Sequence, residues 1–218
     1  MSTKTIRVWD VAVRVFHWSL VSFFLIAYVT GDEENAIHVY SGYAVIGLVL
    51  FRLLWGFIGS RHARFSDFLA GPGTVLRYVK SLLSGEPERY EGHNPLGGWM
   101  IVALLVGVLA TGYSGLEVYG AEGHGPLAGG QVPELVPSTA WADEDDDDDG
   151  ERGGRAGEHE GGHEGGEDFW EEIHEFFANF TLFLAFLHVG GVLVASLLHR
   201  ENLVRAMITG MKEVQDAP

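Results

Sequence analysis

The chain has 218 residues, 47% of them hydrophobic and 20% charged, with a formal charge of −16 at pH 7; that length suits one compact domain. The charge is concentrated, because 17 of the 30 acidic residues but only 2 of the 14 Lys and Arg lie from Glu117 to Glu171, so no broad basic surface remains for nucleic acid. Cysteine is absent, which excludes disulfides, thiolate iron–sulfur ligation and a covalent Cys-x-x-Cys-His haem site.

In chain order, Lys4, Arg7 and Arg14 precede a first apolar stretch, Val15 to Thr30. No small-residue cleavage site follows it, so it is expected to stay as a membrane span rather than to leave as a signal peptide. His38 to Ile58 is a second stretch, broken only by Arg52. The connection 59–94 is basic, with Arg61, Arg64, Arg77, Lys80 and Arg89. Within it, Val75, Leu76, Val79, Leu82 and Leu83 share one helical face, which fits either a helix lying on the membrane surface or an ordinary loop helix. Asn94-Pro95 has the form of a helix start, a cap followed by proline at the first helical position. Leu96 to Leu116 and Phe176 to Leu198 contain no Asp, Glu, Lys or Arg. About 20 such residues cross a bilayer as a helix. Four transmembrane helices are therefore predicted, near 13–30, 38–58, 95–115 and 172–198. Trp18, Trp55, Trp99 and Trp170 fall near their ends, where an aromatic belt is expected.

Residues 119–168 form an acidic loop. Asp143–Gly166 is low in complexity, cannot bury enough apolar surface to fold alone and is expected to be flexible. Basic residues flank the other side: the N-terminal segment, the 59–94 loop, and Arg200, Arg205 and Lys212 after the fourth span. The positive-inside rule places both termini and that loop in the cytoplasm and the acidic loop outside. The fold class expected is an all-α membrane protein, residues 1–218 forming one four-helix bundle.

Four of the ten histidines, His17, His38, His174 and His188, fall inside or at the ends of spans. Ionisable groups there are costly and face the bundle interior. A single one is as often a hydrogen-bonded interior residue as a ligand, but four at matched depths are not. His174 and His188 are 14 residues apart, so they project from one side of the fourth span about 21 Å apart along its axis. His38 starts the second span at the same end as His174, and His17 lies at the end shared with His188. Two pairs result: His38 with His174 outside, His17 with His188 inside. Two such sites suit two bis-imidazole haems, held without covalent attachment. Gly42, Gly47, Gly107, Gly112, Gly190 and Gly191 would let flat groups approach the backbone, although small residues also serve plain helix packing.

Val8-Trp9-Asp10 with Arg14-Val15-Phe16-His17-Trp18, His38-x-x-x-Gly42, Phe51-Arg52-Leu53-Leu54-Trp55-Gly56, Gly92-His93-Asn94-Pro95-Leu96-Gly97-Gly98, Ile173-His174-Glu175, Leu187-His188-Val189 and Arg200-Glu201-Asn202-Leu203 together resemble the prokaryotic cytochrome b561 proteins and the b-type cytochrome subunits of nickel-iron hydrogenases. The resemblance covers residues 6–118 and 168–213. It implies a four-helix cytochrome with two haem b groups in the bacterial inner membrane, passing electrons between quinone and a partner redox protein such as cytochrome c or an oxidoreductase subunit. By motif, it assigns the axial ligands to His17, His38, His174 and His188, the four found from depth. The Asp/Glu/His/Gly loop departs from the family pattern and leaves the outer partner open.

Other residues carry weaker signals. Arg52 suits either a haem propionate contact or snorkelling to the interface. His93 and Asn94 stand where a quinone head group would find donors, with helix capping as the competing role for Asn94. His159 and His163 lie among carboxylates and suit loose Zn²⁺ or Cu²⁺ capture or a solvated linker. The acidic loop suits steering of a basic partner. The reading from a different class is a histidine-based divalent-metal transporter with the acidic loop as its outer capture device. Against it, no Asp or Glu lies deep in a span, where such cations want carboxylates.

Overall fold

The computed structural model describes residues 3–31, 36–85, 88–128 and 161–215. The first long helix, α1 (Val11–Val29), starts after Asp10, whose backbone is extended and whose Oδ1 accepts the Val13 N–H at 2.8 Å. This is a side-chain cap on one of the donors that a helix start leaves unpaired. Asp10 also receives the Trp55 indole N–H at 3.2 Å and the Ser60 hydroxyl. One carboxylate therefore ties the start of α1 to the end of α2 (Ala36–Ile58). Burial works against its charge, but the hydrogen bonds from Ser60, Val13 and Trp55 outweigh burial and hold its pKa below the ordinary carboxylate value.

After α2 come a 3-10 turn (Arg61–Ala63), the short α3 (Phe65–Phe68) and α4 (Pro72–Leu83). The apolar face read for α4 is split. Tyr78 is its buried residue, Val75, Val79 and Leu82 are half-buried around it, and Leu76 and Leu83 are exposed. The cause is Tyr78 itself, a large ring the stripe omitted, which packs edge-on against Tyr90 at 5.6 Å. Helix α5 (Pro95–Ala121) begins as expected, with Asn94 Oδ1 accepting the Gly97 N–H at 2.7 Å.

Helix α6 (Gly161–His199) starts inside the segment expected to be flexible. The rest of that segment, residues 143–160, lies outside the described residues. Then come α7 (Leu203–Thr209) and a strand, β2 (Met211–Gln215). It pairs antiparallel with β1 (Thr3–Arg7), from Thr3 opposite Gln215 to Arg7 opposite Met211. The expectation of an all-α protein thus needs one addition, a two-stranded ladder joining segments from opposite ends of the sequence.

Four helices are long and apolar enough to cross a membrane: Val11–Val29, Ala36–Ile58, Pro95–Ala121 and Asp168–His199. They match the four predicted spans to within a turn or two. Phe16, Val45, Val49, Leu105 and Val108 form the buried core between α1, α2 and α5. Large apolar side chains such as Phe57, Phe186 and Leu197 stay exposed along the same helices. Exposed apolar surface on helices of this length is what lipid covers.

By contact the chain divides into two units, Met1–Tyr113 with His174–Pro218, and Ser114–Ile173. The second unit contains the last turns of α5, the turn at Gly123, where the His124 ring stacks on Tyr119 at 5.3 Å, and the start of α6. In the first unit, β1 and β2 are held by contacts beyond their own pairing. Val8, Trp9 and Ala206 form a second small core. Val8 N–H and Trp9 N–H both donate to the Gly210 carbonyl, at 2.9 and 3.2 Å. Gly210 ends α7 in the left-handed conformation at φ +81°, and a Cβ there would stand 2.6 Å from the Trp9 carbonyl oxygen. Only glycine satisfies both constraints. Lys212 is buried, pairs with Glu201 at 2.9 Å and donates to the Tyr90 carbonyl at 2.7 Å, so β2 also holds the 59–94 connection.

Candidate functional site

The four histidines meet as two pairs. His38, two residues into α2, faces His174 of α6 with ring centroids 5.9 Å apart and planes at 86°. His17 of α1 faces His188 of α6 at 6.5 Å and 53°. A single metal with an imidazole on each side, at bonds of about 2.0 Å, spaces the two ring centroids by about 6 Å. Both pairs fit that spacing. His174 and His188 stand four turns apart on one helix, which sets the two pairs at different depths.

The His38–His174 pair carries a further sign. His38 Nδ1 lies 2.9 Å from the Ala27 carbonyl and His174 Nδ1 lies 2.9 Å from the Thr111 carbonyl. A carbonyl only accepts, so each Nδ1 bears the proton and each Nε2 keeps its lone pair. Metal-binding histidines are oriented in this way by carbonyls behind them. Thr111 Oγ1 in turn meets Thr181 Oγ1 at 3.2 Å, and Thr181 is fully buried. The His17–His188 pair is built differently, since His17 Nδ1 is buried without a hydrogen-bond partner.

The six glycines separate into two sets. Gly107 lies against Thr181, where a Cβ would stand 2.7 Å from Oγ1, and Gly112 lies against Ile46 at 2.8 Å. These two serve close helix packing. At Gly42, Gly47, Gly190 and Gly191 an added Cβ would meet nothing within 4 Å. Those four lie on α2 and α6, the helices that supply three of the four histidines.

Arg52 does not snorkel. It is 3% exposed, with its guanidinium over the rings of Phe65 at 5.2 Å and Phe68 at 5.9 Å, and Nη1 is buried without a partner. A buried cation with an unanswered donor suits an anionic group such as a carboxylate. His93 packs between Trp9 at 4.4 Å and Phe68 at 5.0 Å, and its Nδ1 is also buried and unpartnered. Burial above all, then the positive fields of Arg52, His188 and His62, push its pKa down to about 3, so it is neutral near pH 7. Asn94 is occupied in capping α5.

Sequence reasoning missed the carbonyls of Ala27 and Thr111, the Thr111–Thr181 contact, and the rings of Phe65, Phe68 and Trp9 around Arg52 and His93. Backbone acceptors leave no sequence signal. The aromatic residues arrive from α3 and the N-terminal segment and meet Arg52 and His93 only in the folded chain. Among the described residues no group of three or more His, Cys, Asp or Glu side chains is placed to hold a metal ion, so the transporter reading gains no site here. The acidic run Asp143–Asp149 and His159 lie outside the described residues.

Four apolar spans carrying two facing imidazole pairs define a helical membrane protein. The chain belongs to the prokaryotic cytochrome b561 family, which it matches over residues 8–210. Its four apolar helices agree with an integral membrane protein, and b-type haem is what the family implies. It is 26% identical over 155 residues to a probable Ni/Fe-hydrogenase B-type cytochrome subunit of Rhizobium leguminosarum bv. viciae, covering 56% of this chain and 62% of that one. It is 27% identical over 150 residues to the protein of the same description from Azotobacter vinelandii, covering 55% and 61%. The chain thus spans about three fifths of the length of the curated relatives it matches. No solved structure gives a significant match.

Proposed function

We propose that the chain carries electrons through two haem b groups, between membrane quinone and a partner redox protein, with residues 1–218 acting as one cytochrome domain. The observation that supports this reading best is the pairing of four histidines at two depths, with centroid spacings of 5.9 and 6.5 Å. His17 and His188 would hold the inner haem iron, and His38 and His174 the outer one. Bound haem supplies a one-electron couple at each depth, and the chain's own residues set where and how firmly it sits.

The Ala27 and Thr111 carbonyls fix the His38 and His174 imidazoles through Nδ1 and would make each Nε2 a more basic ligand toward a bound haem iron, favouring its ferric state. His17 lacks such a partner, so the outer centre is expected at the lower potential. Arg52, buried with Nη1 unanswered, would take an inner propionate. His93, neutral and with Nδ1 unpartnered, is the better placed of the two sequence candidates for a quinone head group, since Asn94 is committed to its cap. The inner end with its basic 59–94 connection faces the cytoplasm in this reading, and the acidic loop faces the periplasm. The hydrogenase subunits among the relatives make an oxidoreductase subunit one partner to test, and the acidic loop makes a basic cytochrome c the other.

The test is a dithionite-reduced minus oxidised spectrum of the detergent-purified chain with pyridine-haem quantitation. Two low-spin haem b per chain are expected. His38→Ala or His174→Ala should leave the inner haem, and His17→Ala or His188→Ala the outer. One haem in the native chain would remove one of the pairs, and none, after expression with ample haem, would overturn the reading.

A further inference from the structure

The end of α6 that carries His188 runs on into α7 through a tight corner, and a shallow, open groove of about 770 Å³ lies along it. Its walls are of two kinds. Leu193 and Leu197 of α6 and Val204 and Ile208 of α7 supply an apolar lining, and all four side chains are exposed, Leu197 at 79%. Arg200 and Arg205 lie in the same lining. Among the described residues neither guanidinium takes part in an ion pair. Glu201, also in the lining, is already answered by Lys212 at 2.9 Å, so it does not cancel them. Arg200 holds φ +54°, a conformation unusual for a side-chain-bearing residue.

We infer that this groove binds an anionic phospholipid, with the phosphodiester on Arg200 and Arg205 and an acyl chain along Leu193, Leu197, Val204 and Ile208. The position requires amphipathic chemistry: the apolar part continues the lipid-facing surface of the fourth span, and the basic part stands just past its end. Guanidinium is the side chain suited to phosphate oxygens, because its planar donors meet two of them at once. Basic pockets at this level of a membrane protein select anionic head groups. A zwitterionic lipid offers the same phosphate beside its own cation and would gain less.

Native mass spectrometry of the full-length chain in detergent tests this, with phosphatidylglycerol and phosphatidylcholine of the same acyl composition as probes. Phosphatidylglycerol should give retained adducts that phosphatidylcholine does not. The double substitution Arg200→Asn, Arg205→Gln should weaken those adducts roughly thirtyfold, about fivefold for each charge removed. Asn is chosen at 200 because it tolerates the left-handed backbone. Arg205→Lys keeps the charge but loses the two-donor fork, so its binding should fall between the native chain and Arg205→Gln. If the double variant does not purify, Arg205→Gln alone carries the same expectation at fivefold. Equal binding of the two lipids, or phosphatidylglycerol binding unchanged in the variants, overturns the inference. So does a groove that ubiquinone alone fills, or a lipid-insensitive dimer that closes it. The readout is lipid mass and does not depend on haem.

Discussion

His93 shows how a single residue can be held in one protonation state by its surroundings. Enclosure between Trp9 and Phe68 removes water from Nδ1, and the nearby Arg52 charge opposes a second cation. Its pKa falls to about 3 in the folded chain, against about 6.5 when unfolded. Between those values the unfolded chain binds a proton that the folded chain refuses, so stability declines as pH drops from about 6.5 towards 3. His93→Gln removes the titrating group and should flatten that part of the profile. Thermal melting in detergent across the range checks this: the native midpoint should fall towards acid more steeply than that of the variant. An equal slope would mean the ring is not shielded from water. At this scale the sequence was legible for the imidazoles and not for Arg52. Helical spacing alone pairs His174 with His188 on one face. Whether an arginine near a span end turns outward or inward depends on what closes over it, and here Phe65 and Phe68 come from a separate element.

At the scale of elements, the four spans were readable because bilayer thickness imposes length and apolarity on each one separately. The N-cap Asn94 was readable for the same local reason. The β1–β2 ladder was not. Its strands are separated by nearly the whole chain, each is only five residues long, and pairing between them is decided by the Val8–Trp9–Ala206 core and the Gly210 turn. That turn is the vulnerable point of the ladder. Gly210→Ala combines a left-handed backbone with a Cβ 2.6 Å from the Trp9 carbonyl, and about 2 kcal/mol is the expected cost. The melting midpoint in detergent should fall, while the reduced haem spectrum stays as in the native chain, because none of the four paired histidines belongs to the ladder. A spectrum that lost the inner haem would show that the ladder also holds His17 in place. Helix α4 teaches a related point. Periodicity placed Leu76 and Leu83 with Val75 and Val79, but the buried anchor is Tyr78, and once that ring turns inward the two leucines turn out.

For the molecule as a whole, charge is organised along the sequence more sharply than any packing feature. A balance of −15 between Glu117 and Glu171 stands beside a nearly neutral remainder. Such a field acts over a Debye length, about 8 Å at physiological salt and about 30 Å at 0.01 M. It changes encounter rates far more than it changes the affinity of a docked complex. If the acidic loop steers a basic electron-transfer partner, deleting residues 129–160 should slow electron exchange with a basic cytochrome c by about tenfold or more at low salt. The deletion should leave haem content untouched, since all four paired histidines lie outside it. Rising salt should slow the native chain until it meets the deleted one, which itself should respond weakly. Stopped-flow traces at several ionic strengths make the comparison. Two parallel salt profiles would mean that the loop contributes nothing to the encounter and that the partner docks elsewhere. A rate unchanged by both salt and deletion would instead favour exchange with a permanently bound subunit, because a preformed complex has no diffusive encounter to accelerate.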